Sequence, residues 1–382
     1  MRTIYLDYNA TTPLDPAVRD AMLPYLGEVF GNPSSVHHVG RHARALLDEA
    51  RDRVAQVWKS KPSEVVFTSG GTESNNLAIF GAARLRREQG RHIITTAIEH
   101  HAVLHPCEYL RKKESFDVTY LPVDSEGRVS VEAVLAALRS DTVLVSVMAA
   151  NNEIGTIQPV ARIGALCRER GVLFHTDAVQ WFGKQPFANI EQFNADLISI
   201  CAHKFHGPKG AGALYIRSPL QPDPILFGGG HENERRAGTE NVASIIGFAE
   251  ALEQFVPQPV FAAESISPLA ERLRQFIASL GSARATLHGP RANTERLANT
   301  VAFTVPGADS IMLLAALDVE GICASSGSAC SAGSLEPSHV ILALGVEKDA
   351  ANSLVRFSLG RETTAEEIAI VEQALPTILA RV

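Results

Sequence analysis

The sequence predicts an α/β fold, with a large domain whose mainly parallel sheet is flanked by helices and a smaller α+β domain. Three observations carry this. Short β-branched runs, apolar at nearly every position, recur along the first half of the chain, as strands buried on both faces do. Longer amphipathic segments separate several of them, the β/α rhythm of a parallel sheet. The length, 382 residues, exceeds the ~250–300 residues at which a single hydrophobic core stops growing, so two domains sharing an interface are expected.

In chain order, the candidate strands are residues 65–68, 93–97, 143–148, 172–176, 197–200 and 213–216. Helix-like stretches cover 73–88 and 160–170, the second closed by Gly171 where a C-terminal cap belongs. From Arg217 the texture changes to a proline-rich stretch and then the run Gly228-Gly229-Gly230. A helix-like segment from about Asn241 is interrupted at 255–259, where the second domain is expected to begin, with strands at 300–305 and 354–358.

Composition narrows the class of protein. With 46% hydrophobic and 20% charged residues the chain reads as a soluble globular protein. A net charge of −7 argues against a general nucleic-acid binder. No run approaches the ~18 apolar residues of a membrane span. The N-terminal stretch carries Asp7 and lacks the apolar centre of a signal peptide, so a cytoplasmic location is expected. The cysteines at 107, 167, 201, 323 and 330 are too few and too scattered for a disulfide framework, and none has the C-x-x-C spacing of a zinc cluster. A cysteine that matters here matters as a thiol.

Three segments carry candidate chemistry. In Thr68-Ser69-Gly70-Gly71-Thr72-Glu73 a strand passes through two glycines into a helix start, whose free N–H groups and dipole favour an anion. An ordinary capped β–α turn has the same pattern. Asp177 follows an apolar strand, where open α/β sheets bind ligands and where a buried carboxylate needs a cation such as a protonated pyridine nitrogen. Asp is equally a preferred helix N-cap. Lys204, in Cys201-Ala202-His203-Lys204, again stands just past a strand, where a desolvated amine could form a Schiff base, although a lone lysine is more often a surface charge. Phosphate, pyridinium and aldehyde partners together describe pyridoxal 5'-phosphate.

Taken with Tyr5–Pro13, Gly31–His37, Asn151–Gly155, Arg236–Thr239, Ser325–Pro337 and Val355–Arg361, these motifs make the whole chain resemble the cysteine desulfurases of the NifS/IscS group. Those belong to the class-V aminotransferase family of fold-type I pyridoxal-phosphate enzymes. The resemblance implies a large domain of residues 15–254. It implies a small domain of residues 1–14 and 255–382, carrying a mobile catalytic loop at about 323–337. It implies L-cysteine as substrate, alanine as product, and sulfur passed to a persulfide on Cys330 for an iron–sulfur scaffold or another acceptor protein. Lys204 would hold the cofactor aldehyde and shuttle the substrate α-proton. Asp177 would keep the ring nitrogen protonated, Gln180 would donate to the ring oxygen, and His100 would stack on the ring and move protons. Gly71, Thr72, Cys201 and His203 would hold the phosphate, with Thr239 reaching that of a neighbouring subunit in a homodimer. Asn32, Asn152 and Arg356 would bind substrate, arginine forking its carboxylate.

Cys330 lies among small polar residues with two glycines, a segment with little to pack and expected to be mobile, as a sulfur carrier requires. Cys107, Cys167 and Cys323 sit in apolar or helical contexts and read as packing residues. His101 and His105 have i, i+4 spacing but no intervening H-E-x-x-H glutamate, so no metal is expected. Related readings are a selenocysteine lyase or another pyridoxal-phosphate lyase or transaminase, which would not need the Cys330 loop. A non-catalytic sulfur-transfer scaffold would not need the Lys204, Asp177 and Thr72 set. A cysteine acyl-transferase would need a nucleophile fixed beside its base.

Cys201 stands where the family usually presents a serine hydroxyl to the phosphate, and a thiol is the weaker donor. Cys201→Ser is therefore expected to slow cofactor loss on dialysis, followed by absorbance; unchanged or faster loss would count against this reading.

Overall fold

The computed structural model describes residues 3–261, 263–327 and 336–381. Among the described residues, twelve strands form three sheets. They are β1 (Ile4–Tyr5), β2 (Val65–Thr68), β3 (His92–Thr96), β4 (Asp117–Leu121), β5 (Thr142–Ser146), β6 (Leu173–Asp177), β7 (Leu197–Cys201), β8 (Gly212–Ile216), β9 (Thr286–His288), β10 (Thr300–Thr304), β11 (Ile322–Cys323) and β12 (Val355–Ser358). The seven-stranded sheet has the order β2-β8-β7-β6-β5-β3-β4, and β8 alone runs against its neighbours.

Alternation on a pleated strand explains why these runs read as wholly apolar. Val65, Phe67, Ile94, Val145, Phe174, Ile198 and Tyr215 point into the core on one face. Val66, Ile93, Leu144, Leu173, Leu197 and Leu214 point into the core on the other. The helices His38–Trp58 and Val242–Phe255 cover the first face, and Gly71–Arg86 with His101–Lys113 cover the second. No described helix is long and apolar enough to cross a membrane.

The expected strands all occur, with ends shifted by one or two residues. Asn241 caps the helix Val242–Phe255, accepting from the Ser244 N–H, and Gly171 takes a φ of 69° after the helix Val160–Glu169. Strand β4 escapes sequence reading because it is the sheet edge: Asp117 and Tyr120 are exposed, so its apolar content is low.

A second core surrounds the three-stranded antiparallel sheet β12-β10-β9 and the parallel pair β1-β11. Pairing of Ile4 with Ile322 draws the first residues of the chain onto this C-terminal unit.

The centre of the large sheet contains one ionisable ring. His175 on β6 is fully buried and bonds Ser146 Oγ on β5 at 2.8 Å and Ser199 Oγ on β7 at 3.0 Å. Burial pushes its pKa down to about 3, so between pH 6.5 and 3 the unfolded chain binds a proton that the folded one refuses. The associated stability is present above pH 6.5 and lost as pH falls. His175→Gln should lose about 2 kcal/mol less unfolding free energy than the parent between pH 7 and pH 5, measured by urea titration.

Candidate active site

The strands β2, β3, β5, β6 and β7 share one direction, so their carboxyl ends lie along one edge of the sheet, where open α/β folds bind ligands. The loops leaving that edge enclose a cavity of about 190 Å³. Its walls include Gly71, Thr72, His100, Asn152, Asp177 and Gln180, together with Cys201, His203, Lys204 and Arg356.

At one end, Gly70 turns the chain from β2 into the helix Gly71–Arg86 with a φ of 149°. That turn crosses β8 closely, and a Cβ on Gly212 would stand 2.7 Å from the Gly70 Cα. A side chain on Gly71 would meet Val179 Cγ2 at 2.7 Å. The two glycines thus leave the helix N-terminus bare toward the cavity, a site suited to an anion. Cys201 closes the same corner, with the backbone N–H groups of Gly71 and His203 directed at its sulfur. His203 bonds Thr11 Oγ1 at 3.1 Å, and burial holds its imidazole neutral, with a pKa of about 3.

Asp177 is the last residue of β6 and is buried. Its Oδ2 accepts from Asn75 Nδ2 at 2.6 Å and its Oδ1 from the Val179 N–H at 3.0 Å. The carboxylate is therefore oriented from both sides while remaining on the cavity wall. His100 is the N-cap of the helix His101–Lys113: its Nδ1 accepts from the Ala102 N–H at 3.0 Å. That bond assigns the proton of the neutral ring to Nε2. Burial, more than any neighbouring charge, lowers the His100 pKa.

Lys204 Nζ donates to the backbone carbonyls of Asn9 and Ala10, both at 2.8 Å. No carboxylate pairs with it among the described residues, and desolvation lowers its basicity. Arg356, 1% exposed, donates through Nη1 to the carbonyls of Asn152 at 2.9 Å and Gly327 at 2.7 Å, and through Nη2 to Asp7 Oδ1 at 2.7 Å. Its Nε has no partner among the described residues. Gln180 Nε2 donates to the Asn9 carbonyl at 2.9 Å.

These groups suit a phosphorylated pyridine aldehyde: a bare helix N-terminus for the phosphate, a buried carboxylate for the ring nitrogen, and a desolvated amine for the aldehyde. Asn32 and Thr239 do not line this cavity. Asn32 is exposed, its Oδ1 accepting from the Ser34 N–H, and Thr239 is exposed in a separate pocket with Ser69 and Arg236. Cys330 lies outside the described residues. Among the described residues no cluster of His, Cys, Asp or Glu is set to ligate a metal; the rings of His101 and His105 stack at 4.8 Å. Sequence reasoning gave no role to Asn75, Asn9 or Lys184. Asn75 could have been found, because four residues after Gly71 is one turn along the same helix face.

Comparison with known proteins agrees with this geometry. The family model for aminotransferase class-V matches residues 4–371. A cysteine desulfurase IscS from Dictyoglomus turgidum is 47% identical over 382 residues, covering 100% of this chain and 95% of that protein. The chain belongs to the class-V aminotransferase family, in its NifS/IscS group. Among solved structures, a NifS-like protein superposes with a TM-score of 0.91 at 38% identity over the whole of both chains. A structure of SspA in complex with cysteine matches with a TM-score of 0.81 at 35% identity, covering 95% of this chain and 100% of that one.

For this NifS/IscS-type chain, Asn9 ties the site together. Its N–H donates to Ser358 Oγ at 2.9 Å, and its Nδ2 to Thr300 Oγ1 at 2.9 Å and the Asn152 carbonyl at 3.1 Å. Its Oδ1 accepts from Lys184 Nζ at 2.6 Å and Asn299 Nδ2 at 3.0 Å. Asn9→Ala leaves several of these buried partners unsatisfied and should lower unfolding free energy by roughly 2–4 kcal/mol in urea titration. A loss below about 1 kcal/mol would show that the partners re-pair.

Proposed function

We propose that this chain is a pyridoxal 5'-phosphate-dependent cysteine desulfurase, converting L-cysteine to L-alanine and passing the sulfur through a persulfide on Cys330. The observation that carries the reading is the Lys204 amine, desolvated, held by two backbone carbonyls and opening on the same cavity as Asp177. When bound, the cofactor supplies a carbonyl for amine condensation and an electron sink that acidifies the substrate Cα and makes its sulfur electrophilic.

The residues divide the remaining work. Gly71, Thr72, Cys201 and His203 hold the phosphate, Asp177 pairs with the ring nitrogen, and Gln180 donates to the ring oxygen. Arg356 binds the substrate carboxylate with its unpaired Nε, while Asp7 and two carbonyls hold the guanidinium in place. Lys204, with its basicity lowered by burial, carries the α-proton. His100 presents its Nε2 proton and exchanges it with the thiol groups.

The Cys330 thiolate bonds to the substrate sulfur as the Cβ–S bond breaks; the electron pair stays with Cβ, which is protonated to give alanine. Thiolate is the reactive form. Burial raises the pKa of Cys107, Cys167, Cys201 and Cys323, which leaves each of them a thiol at neutral pH. We further propose a cytoplasmic homodimer in which Thr239 completes the neighbouring phosphate site, a large domain at 15–254 with a small one at 1–14 and 255–382, and delivery of sulfur to an iron–sulfur scaffold or other acceptor protein.

Given L-cysteine and a reductant, the enzyme should release alanine and sulfide in equal amounts, measured together. Pyruvate in place of alanine would indicate a β-eliminating lyase. Cys330→Ala should bind cysteine and alter the cofactor spectrum but release no sulfide; full turnover would remove Cys330 from the mechanism. Borohydride reduction should attach the cofactor to Lys204 in peptide mapping.

A further inference from the structure

One lysine beside the cavity has no role in the chemistry above. Lys184 is 3% exposed and does not line the cavity. Its amine donates to Asn9 Oδ1 at 2.6 Å and, through a short bond, to Gln180 Oε1. It also lies 5.2 Å from the centroid of the Phe261 ring. No carboxylate pairs with it among the described residues. Burial, reinforced by the charges of Lys204 and Arg356, drives its basicity well below that of an ordinary lysine.

An amine held this way has few structural reasons to be there. Burying a lysine amine without a counter-ion is costly, and an apolar side chain could fill the same space. What an amine adds is direction, because it donates to both oxygens and forces both side chains to present their acceptor ends to it. With Oε1 held by Lys184, Gln180 keeps its Nε2 on the side of Asn9, where one N–H meets the Asn9 carbonyl at 2.9 Å. The second N–H of that amide belongs to a residue on the cavity wall. The same Asn9 carbonyl accepts from Lys204 at 2.8 Å. Lys184 is thus two hydrogen bonds from the reacting amine through Asn9 and three through Gln180.

We propose that Lys184 is a positioning residue that locks the Gln180 amide with its donor toward the cavity, and so sets the proton affinity of the linkage formed between Lys204 and the cofactor. This rests on the assignment of Lys204 as cofactor anchor. A donor fixed on the ring oxygen withdraws charge from it and makes the linked nitrogen less basic. Loss of the donor makes that nitrogen more basic.

The test is a pH titration of the visible absorption of the loaded holoenzyme, with thermal unfolding as a control for folding. Lys184→Met, one atom shorter and without the donors, should fold, take up pyridoxal 5'-phosphate and titrate with a midpoint about one pH unit or more above the parent. Its kcat should fall while KM for cysteine changes little, because the carboxylate site is untouched. Gln180→Leu should raise the midpoint too, and the double variant should move it no further, since both changes remove one interaction. A folded Lys184→Met with the parent midpoint, or additive shifts in the double variant, would overturn the proposal. Should Lys184→Met fail to fold, Lys184→Leu, which also lacks a donor, takes its place; the parent midpoint in that variant would overturn the proposal equally. A parent protein that forms no visible absorption with the cofactor refutes the functional reading itself, an outcome distinct from an unshifted variant.

Discussion

The site is organised around a single amide side chain and its own peptide group. Asn9 spends its N–H, both side-chain termini and its carbonyl on partners from five distant places: Asn152, Gln180 with Lys184, Lys204, Asn299 with Thr300, and Ser358. Each is buried or lies at the cavity, and each bond in a low-dielectric interior is costly to break without a replacement. The loops leaving the large sheet and the strands of the C-terminal sheet are therefore held in one relative position by hydrogen bonds, with apolar packing behind them. The cavity walls inherit their geometry from that arrangement.

Desolvation does most of the electrostatic tuning. Burial weakens the basicity of Lys204, Lys184, His100 and His203 alike. A cavity surrounded by four unwilling bases has little fixed positive charge of its own beyond Arg356. A carboxylate entering it is consequently guided to one guanidinium, and an amine remains free to act as a nucleophile. The acid beside His100 follows the same rule in reverse. Glu99 is completely buried, accepting from Thr96 Oγ1 at 2.7 Å and the Met148 N–H at 2.9 Å, and burial raises its pKa to about 8. It thus adds no charge beneath the site at neutral pH.

Much of this was legible in the residues. Runs apolar at nearly every position, with capping signals, located six strands of the large sheet and three of the helices because both report on burial, which sequence composition encodes locally. Gly71, Asp177 and Lys204 were legible because each sits where a strand ends, a position that the chain pattern marks. Strand β4 was not, since an edge strand buries one side and reads as polar. Asn9 and Lys184 were not either. Nothing within ten residues of Asn9 distinguishes it from a turn asparagine, and its partners lie up to 349 residues away. Lys184 carried no signal of its own in the sequence, and its setting comes from the enclosure built by Asn9, Gln180 and Phe261.

The reach of Asn9 bears on how the protein is made. Residues 4 to 9 are translated some three hundred residues before their partners β10, β11 and β12. Until β10, β11 and β12 are made, the segment of residues 4 to 9 has its partners at Asn152, Gln180, Lys184 and Lys204 but lacks those that anchor it to the C-terminal sheet. A nascent chain can therefore build its main sheet early but acquires a finished pocket only once the C-terminal sheet has been made. A chain lacking the C-terminal sheet would thus carry Lys204 without the scaffold that fixes Asn9 against it.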